Sequence, residues 1–217
     1  MKRSRSVSRQ YTAPAKWLHW VVALLVLAML SAALQFAFVA PEERAGAVPT
    51  HASIGLTIVA LTLVRLAWRG VAPPPPPPPG TSSGLQRSAR AGHLLLYALI
   101  LYQGLLGIWM AALSPVAIRL YGEFNLSALA PANPEALVVL RQFHAAGAAV
   151  LALTVILHVA AALWHHFVRR DDVLIRMLPF GGLWQRLSAP TRALEVRFPS
   201  LLFHNWPKRL PRTATRK

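Results

Sequence analysis

The chain contains no cysteine among its 217 residues, and only seven acidic residues stand against 23 lysines and arginines. The absence of thiols excludes disulfides, thiolate metal sites, iron–sulfur clusters and any cofactor attached through cysteine. The shortage of acid leaves a net charge of +16, which alone would suggest a nucleic-acid partner. The basic residues, however, lie between and after long apolar runs. We therefore predict that they set membrane orientation and that no nucleic acid is bound.

Four apolar segments are long enough to cross a bilayer, which takes about 20 residues in a helix. They cover approximately residues 17–40, 51–68, 91–113 and 143–167. This pattern predicts an all-α integral membrane protein built as a four-helix bundle. A cleavable signal peptide is the alternative for the first segment. Its 24 residues exceed the apolar core of about 7–15 residues in a normal signal, so we expect an uncleaved span.

Lysine and arginine outside the spans predict the orientation of the bundle. Basic residues dominate residues 1–16, the connection between spans two and three, and residues 180–217. The other two connections, residues 41–50 and 114–142, hold three arginines against four glutamates. We predict a basic cytoplasmic N-terminus (1–16), a transmembrane domain (17–179) and a basic cytoplasmic tail (180–217), with both termini cytoplasmic.

Seven consecutive prolines, residues 73–79, interrupt the middle connection and are followed by Gly-Thr-Ser-Ser-Gly. Proline runs favour stiff polyproline II, whereas glycine and serine favour flexibility. We interpret the segment as a spacer rather than a domain, with a ligand for a proline-binding domain as the weaker alternative.

Four histidines lie within the predicted spans at matched depths. His51 and His144 begin spans two and four, and both are placed at the outer side. His158 follows His144 by fourteen residues, which is about 21 Å along a helix and within about 40° of the same face. That rise brings His158 to the inner depth of His19 in span one. The depths therefore pair His51 with His144, and His19 with His158.

Two neutral imidazoles facing each other across a bundle are what a b-type haem requires, because the porphyrin fills the other four iron positions. The two pairs predict two b haems stacked across the membrane. Gly55, Gly147 and Ala148 follow the ligands by three or four residues and would leave room for a flat macrocycle. Zinc is a weaker alternative because it prefers four clustered ligands. A packing role is the general alternative for any single membrane histidine.

Other polar residues near the histidines have two interpretations each. Arg65 lies fourteen residues after His51, and Arg141 lies one turn before His144. Each is a candidate partner for a haem propionate or a side chain that reaches to the interface. A further group near the cytoplasmic side either lines a quinone site or is simply interfacial: His93, Tyr97, His165 and His166.

The motifs AKWLHW, THASIG, RAGHLLLYALI and FHAAGAAVLALTVILHVAAALWHHF, the last followed by DDVLIRMLP, resemble the prokaryotic cytochrome b561 family. The match covers about residues 11–179. The resemblance implies a four-helix protein of the bacterial inner membrane that holds two b haems. It also implies electron transfer between an outer-side donor and ubiquinone or a related quinone, with superoxide as the donor in some members. The implied ligands are His19, His51, His144 and His158.

The sequence thus predicts a di-haem electron-transfer protein of the respiratory chain, partnered by the quinone pool and a periplasmic donor. One alternative is the membrane cytochrome subunit that anchors a hydrogenase or dehydrogenase complex, which would dock a large redox subunit on its outer face. A second is a histidine-using metal transporter. The four spans contain no Asp or Glu, and this argues against the transporter because cation pathways usually employ them.

Overall fold

The structure, a computed structural model, describes residues 10–36 and 38–180. The predictions for residues 1–9 and for the tail after residue 180 lie outside the described residues. The main elements in chain order are helices α1 to α3, a short hairpin, and helices α4 and α5. Their bounds are α1 Ala13–Gln35, α2 Pro41–Val71, α3 Ser83–Ala112, β1 Arg119–Leu120, β2 Phe124–Asn125, a 3-10 helix Leu126–Ala128, α4 Pro134–Phe167 and α5 Val173–Met177.

Helices α1 to α4 are each long and apolar enough to cross a membrane, which confirms the predicted all-α, four-span architecture. Consecutive helices pack against each other along the chain. The centre of the bundle is a small apolar core of Val22, Val26, Ile58 and Leu151. Large apolar side chains also cover the outside of all four helices, as expected where a helix faces lipid rather than water.

Helices α2, α3 and α4 begin well before their apolar stretches, so the predicted connections 41–50 and 114–142 were partly wrong. Helix α1 instead ends at Gln35, short of the predicted end of the first span at residue 40. Residues 41–50 form the start of α2, and α4 begins at Pro134. Both helices open with proline, whose missing N–H costs nothing in a first turn. The side-chain oxygen of Asn133 accepts a 3.0 Å hydrogen bond from Ala136 N and caps α4. Hydropathy detects only the lipid-facing part of a helix and misses such polar first turns.

The hairpin β1–β2 lies over one end of the bundle, which we call the hairpin end. Tyr121 and Gly122 have φ angles of 51° and 81°, and Glu123 N donates to Leu120 O at 3.0 Å, as in a type I′ turn. Tyr121 is held in this unfavourable conformation by α2, because its N–H donates to Ser53 Oγ at 2.9 Å and its hydroxyl donates to Ser53 O at 3.0 Å. The hairpin is therefore fixed two residues from His51.

The opposite end, which we call the α5 end, is tied together by the short helix α5. Trp20 Nε1 in α1 donates to Met177 O at 3.0 Å. The buried Arg176 donates from Nη1 to Pro76 O at 2.7 Å, and its Nε lies 2.8 Å from Asp172 Oδ1. These contacts join α1, the proline run and α5 into one layer.

The proline run is docked rather than free. It forms neither helix nor strand, as predicted for a spacer. Pro75 and Pro78 are half-buried, whereas the other five prolines are exposed. Burial of every third residue matches the three residues per turn of polyproline II. One face of the run therefore packs on the protein, and Arg176 holds it there.

Candidate functional site

The bundle brings the conspicuous histidines together in two pairs. The ring centroids of His51 in α2 and His144 in α4 are 6.2 Å apart, with 68° between the ring planes. At the α5 end, His19 in α1 and His158 in α4 are 6.3 Å apart, with planes at 65°. These are the pairs predicted from depth. Their role as iron ligands stays a prediction at this point.

The spacing of each pair suits one metal atom between the rings. An imidazole nitrogen bonds a metal at about 2 Å, and the ring centre lies roughly 1 Å behind that nitrogen, so two opposed ligands have centres about 6 Å apart. The rings are also too far apart for a direct hydrogen bond. Buried Nδ1 atoms of His19, His51 and His144 have no hydrogen-bond partner among the described residues. Two imidazole nitrogens at this spacing could each bond one iron atom, so each pair fits a haem with two histidine ligands.

A cavity of about 680 Å³ opens between the helices at the hairpin end. His51 and His144 both line it, together with apolar side chains from all four long helices. Its apolar wall and its size suit a flat macrocycle. Gly55 and Ala148 line it as predicted.

Gly147 serves a different purpose from the one predicted. A Cβ atom at this position would lie 2.7 Å from Tyr102 Cε1 and 2.8 Å from Gln103 Oε1. Gly147 therefore makes room for side chains of α3, because the glycine faces that helix. The glycine that lies beside the His144 ring is Gly107 of α3, where a Cβ would make an ordinary van der Waals contact of 3.7 Å with His144 Cε1.

Two arginines line the cavity at the hairpin end. Arg141 was a candidate from the sequence, whereas Arg44 was not. Neither forms an ion pair with any acidic side chain that the structure describes. Arg44 precedes His51 by seven residues, which returns a helix to within about 20° of the same face. That spacing was the signal for Arg44, but it has this meaning only in a helix, and the sequence predicts a loop over residues 41–50.

At the α5 end, Arg65 and Arg69 form no ion pair with an acidic side chain that the structure describes, whereas Arg176 is paired with Asp172. Arg65 lies with its guanidinium carbon 5.4 Å from the ring centroid of Tyr97 in α3, a cation–π contact. Tyr11, just before α1, lies near Arg65, Arg69 and Arg176. Burial raises the pKa of the Tyr11 hydroxyl, and these three guanidinium groups oppose the rise. The positive charge here could accept an anionic group of a bound molecule.

The four candidate quinone-site residues fall into separate groups. His93 and Tyr97 lie on α3 beside the α5-end pair, and the His93 ring is 5.6 Å from that of His158. His165 Nδ1 instead lies 2.6 Å from Asp171 Oδ2, and Arg169 Nε lies 3.5 Å from the same oxygen.

His166 packs against Phe167, with ring centroids 4.8 Å apart. Within the described part of the chain, no hydrogen bond, ion pair or ring contact links His93 or Tyr97 to His165 or His166. Sequence analysis missed Asp171 because it lies beyond the apolar span.

Gln103 is a further residue that the sequence analysis did not single out. It lies in the middle of α3, lines the cavity and donates from Nε2 to His144 O at 2.9 Å. Its Oε1 is buried and has no partner among the described residues. The available signal was an amide side chain alone in a long apolar segment. Within the described residues, no group of three or more His, Asp or Glu suits a bare metal ion.

Comparison with known proteins identifies similar chains. A family profile described as prokaryotic cytochrome b561 matches residues 10–180. Cytochrome b561 homolog 2 of Escherichia coli K12 is 33% identical over 163 residues, which is 74% of this chain and 86% of the relative. Cytochrome b561 homolog 1 of the same organism is 30% identical over 166 residues, covering 75% and 93%. A Yersinia pestis protein named probable superoxide oxidase CybB is 28% identical over 171 residues, covering 79% and 97%.

Proposed function

The chain belongs to the prokaryotic cytochrome b561 family, and we propose that it is a di-haem b cytochrome that carries electrons between an outer-side donor and membrane quinone. Family membership and the four apolar helices make it a multi-pass membrane protein with a cytochrome b electron-transfer role. The observation that carries the finer proposal is the presence of two histidine pairs, 6.2 Å and 6.3 Å apart, at opposite ends of one bundle.

In this proposal His51 and His144 hold one haem, and His19 and His158 hold the other. Haem iron supplies reversible one-electron exchange when bound. The protein fixes the two imidazoles of each pair on different helices and excludes water with its apolar wall. It also supplies arginines that would pair with the carboxylates of the macrocycle. Arg44 and Arg141 serve the hairpin end, and Arg65 serves the α5 end.

We place the hairpin end toward the outside and the α5 end toward the cytoplasm of the bacterial inner membrane, following the lysine and arginine distribution. The similarity to a protein named as a superoxide oxidase supports superoxide as the donor. Arg44 and Arg141 add positive charge at a cavity on the side that an anionic donor would reach. Ubiquinone or a related quinone is the proposed acceptor.

A reduced-minus-oxidised visible spectrum with haem quantitation tests the cofactor content. We expect a b-type spectrum and two haems per chain. Purified protein in ubiquinone-containing liposomes should then reduce the quinone when superoxide is generated outside. A colourless protein, or one with a single haem, would contradict the di-haem proposal. A two-haem protein that leaves the quinone oxidised would contradict the donor and acceptor.

A second candidate is the membrane cytochrome that anchors a hydrogenase or dehydrogenase complex. The observation that favours it is the set of exposed apolar side chains on and beside the hairpin: Val116, Tyr121, Phe124 and Leu129. A docked redox subunit would cover them. Purification with a large redox subunit bound at this face would favour the anchor, and full quinone reduction by the isolated chain would favour the self-contained protein.

Replacing Arg141 with glutamine should lower the reduction potential of the hairpin-end haem. A nearby positive charge favours the reduced state, so its removal should shift the reduction equilibrium about tenfold, which is about 59 mV for one electron. The measurement is a redox titration followed by visible absorption. The matched control is Arg119→Gln, because Arg119 is an exposed arginine of β1 that does not line the cavity. Equal shifts in both variants would show a general charge effect and contradict the assignment.

Replacing Asp171 with asparagine should slow quinone reduction while both haems are retained. Asp171 contacts His165 at 2.6 Å, and we propose that this pair delivers protons to the reduced quinone. Loss of a positioned proton donor costs about 10²-fold or more. Steady-state quinone reduction and haem content are the measurements, with His166→Gln as the control. An unchanged rate would remove His165 and Asp171 from the proposed quinone site.

A further inference from the structure

Helix α3 supplies none of the four proposed haem ligands, yet it contacts both histidines of α4. At the hairpin end, Gln103 donates a hydrogen bond to His144 O. At the α5 end, the ring of His93 lies beside the ring of His158. Helix α4 carries one ligand of each pair, so a helix that fixes α4 at both levels acts on both sites. Neither α3 residue is explained by the proposed ligand set.

The contact at the hairpin end has several parts that fit together. Gln103 Nε2 lies 2.9 Å from His144 O. The carboxamide occupies the space left by Gly147, where a Cβ would lie 2.8 Å from Gln103 Oε1. One turn along α3, the backbone at Gly107 lies against the imidazole of His144, where a Cβ would be 3.7 Å from Cε1. Helix α3 therefore binds the main chain of this ligand residue and lies beside its ring.

At the α5 end, the contact between His93 and His158 differs from the two proposed ligand pairs in the distance between its ring centroids. The His93 and His158 rings are 5.6 Å apart, which is shorter than the 6.2 Å and 6.3 Å of the two proposed ligand pairs. A direct N–H···N bond of about 3 Å between two imidazoles places their centres roughly 5 Å apart. The observed 5.6 Å lies between this value and the roughly 6 Å expected for two imidazoles that bind one metal atom. A small ring rotation or shift would bring His93 into hydrogen-bond contact with His158.

We propose that α3 is the positioning helix of both sites, with Gln103 fixing His144 and His93 hydrogen-bonding the ring nitrogen of His158 that does not face the iron. A ligand histidine usually donates its other ring N–H to an acceptor, which fixes the ring orientation and makes the ligand more basic. This role rests on the proposed function. It makes His93 a positioning residue for His158 rather than part of the quinone site.

The test compares Gln103→Leu, His93→Leu and His93→Gln in the full-length protein. Haem content, the rate of haem loss and the potentials of the two haems are measured in each sample. Proteins with His144→Ala or His158→Ala, each expected to retain one haem, assign the two potentials. Tyr102→Phe is the control for Gln103, because it lies on the same helix and removes only a weak 3.4 Å contact with Phe143 O.

We expect Gln103→Leu to speed loss of the hairpin-end haem by about tenfold, the low end of the range for groups that position a metal ligand, because Gln103 binds the main chain of His144 and not its ring. The α5-end potential should not change in that variant. His93→Leu should retain both haems and raise the α5-end potential, because a less basic ligand stabilises oxidised iron less. A tenfold change in the equilibrium is about 59 mV. His93→Gln keeps a hydrogen-bonding group and should restore at least half of the shift.

Three results would overturn the proposal. Loss of the α5-end haem in His93→Leu, with retention in His19→Ala, would make His93 the ligand. Unchanged potentials with slower quinone reduction would return His93 to the quinone site. Equal changes at both haems in every variant would indicate a general loss of packing. Failure of the proposed function itself would be seen separately, as fewer than two haems in the unaltered protein.

Discussion

Replacement of His144 by alanine should leave a protein with one haem, bound at the α5 end. His144 is one of two imidazoles at the hairpin-end site, and the other, His51, cannot hold the macrocycle alone against detergent extraction. His158→Ala should give the reverse result and keep only the hairpin-end haem. Haem quantitation and redox titration of each variant are the measurements, since the remaining haem should titrate as a single one-electron centre.

Each variant is a control for the other, because each should lose the haem that the other retains. His166→Ala is a third control that should lose neither haem. His166 lies on the same helix but packs against Phe167 and belongs to neither pair, so both haems should remain. Equal loss of both haems in His144→Ala and in His158→Ala would contradict the pairing. Full pigment in a protein lacking all four histidines of the pairs would end the haem assignment altogether.

Replacing Gly104 with alanine should destabilise the bundle strongly. A Cβ at this position would lie 2.0 Å from Val59 Cγ2, because α2 and α3 approach closely there, as helices in membranes do at small residues. Valine cannot turn aside easily because its branched side chain has one preferred rotamer in a helix. Overpacking of this kind costs about 3 kcal/mol in the free energy of unfolding, more than the helix propensity gained by alanine. Thermal unfolding in detergent measures the loss.

Gly92→Ala is the matched control, since it lies on the same helix and its Cβ would meet nothing within 4 Å. That variant should be unchanged or stabilised by about 0.5–1 kcal/mol, because alanine loses less freedom than glycine when a helix forms. Combining Gly104→Ala with Val59→Ala should recover much of the lost stability. A double variant as unstable as the single one would show that the close approach at Val59 is not the cause.

The sequence predicted the features that follow from helix periodicity and hydropathy. Four apolar stretches gave four helices, and fourteen-residue spacing with matched depth gave the two histidine pairs. Both signals depend only on rise and rotation along a single helix, so they survive without knowledge of the packing. The sequence did not predict that Gly147 faces α3 rather than the cavity, because the face of α4 that meets α3 depends on how the helices pack.

The remaining site residues were hidden for related physical reasons. Arg44 lies in a polar first turn that hydropathy cannot distinguish from a loop. Asp171 contacts His165 only because the chain turns back after α4 ends. His93 and His165 have similar predicted depths, yet depth alone does not say where around the bundle each one lies. Tertiary packing decides all three.

The apolar core of Val22, Val26, Ile58 and Leu151 has a consequence for energy conversion. By position along the helices it lies between the two histidine pairs, and its four side chains carry no group that can pass a proton. An electron that moves between the pairs therefore carries its negative charge through the low-dielectric layer alone. In the proposed arrangement each transfer does electrical work against or with the membrane voltage, at about 2.3 kcal/mol for a full crossing per 100 mV. In that arrangement the turnover of the protein would depend on the voltage across the membrane.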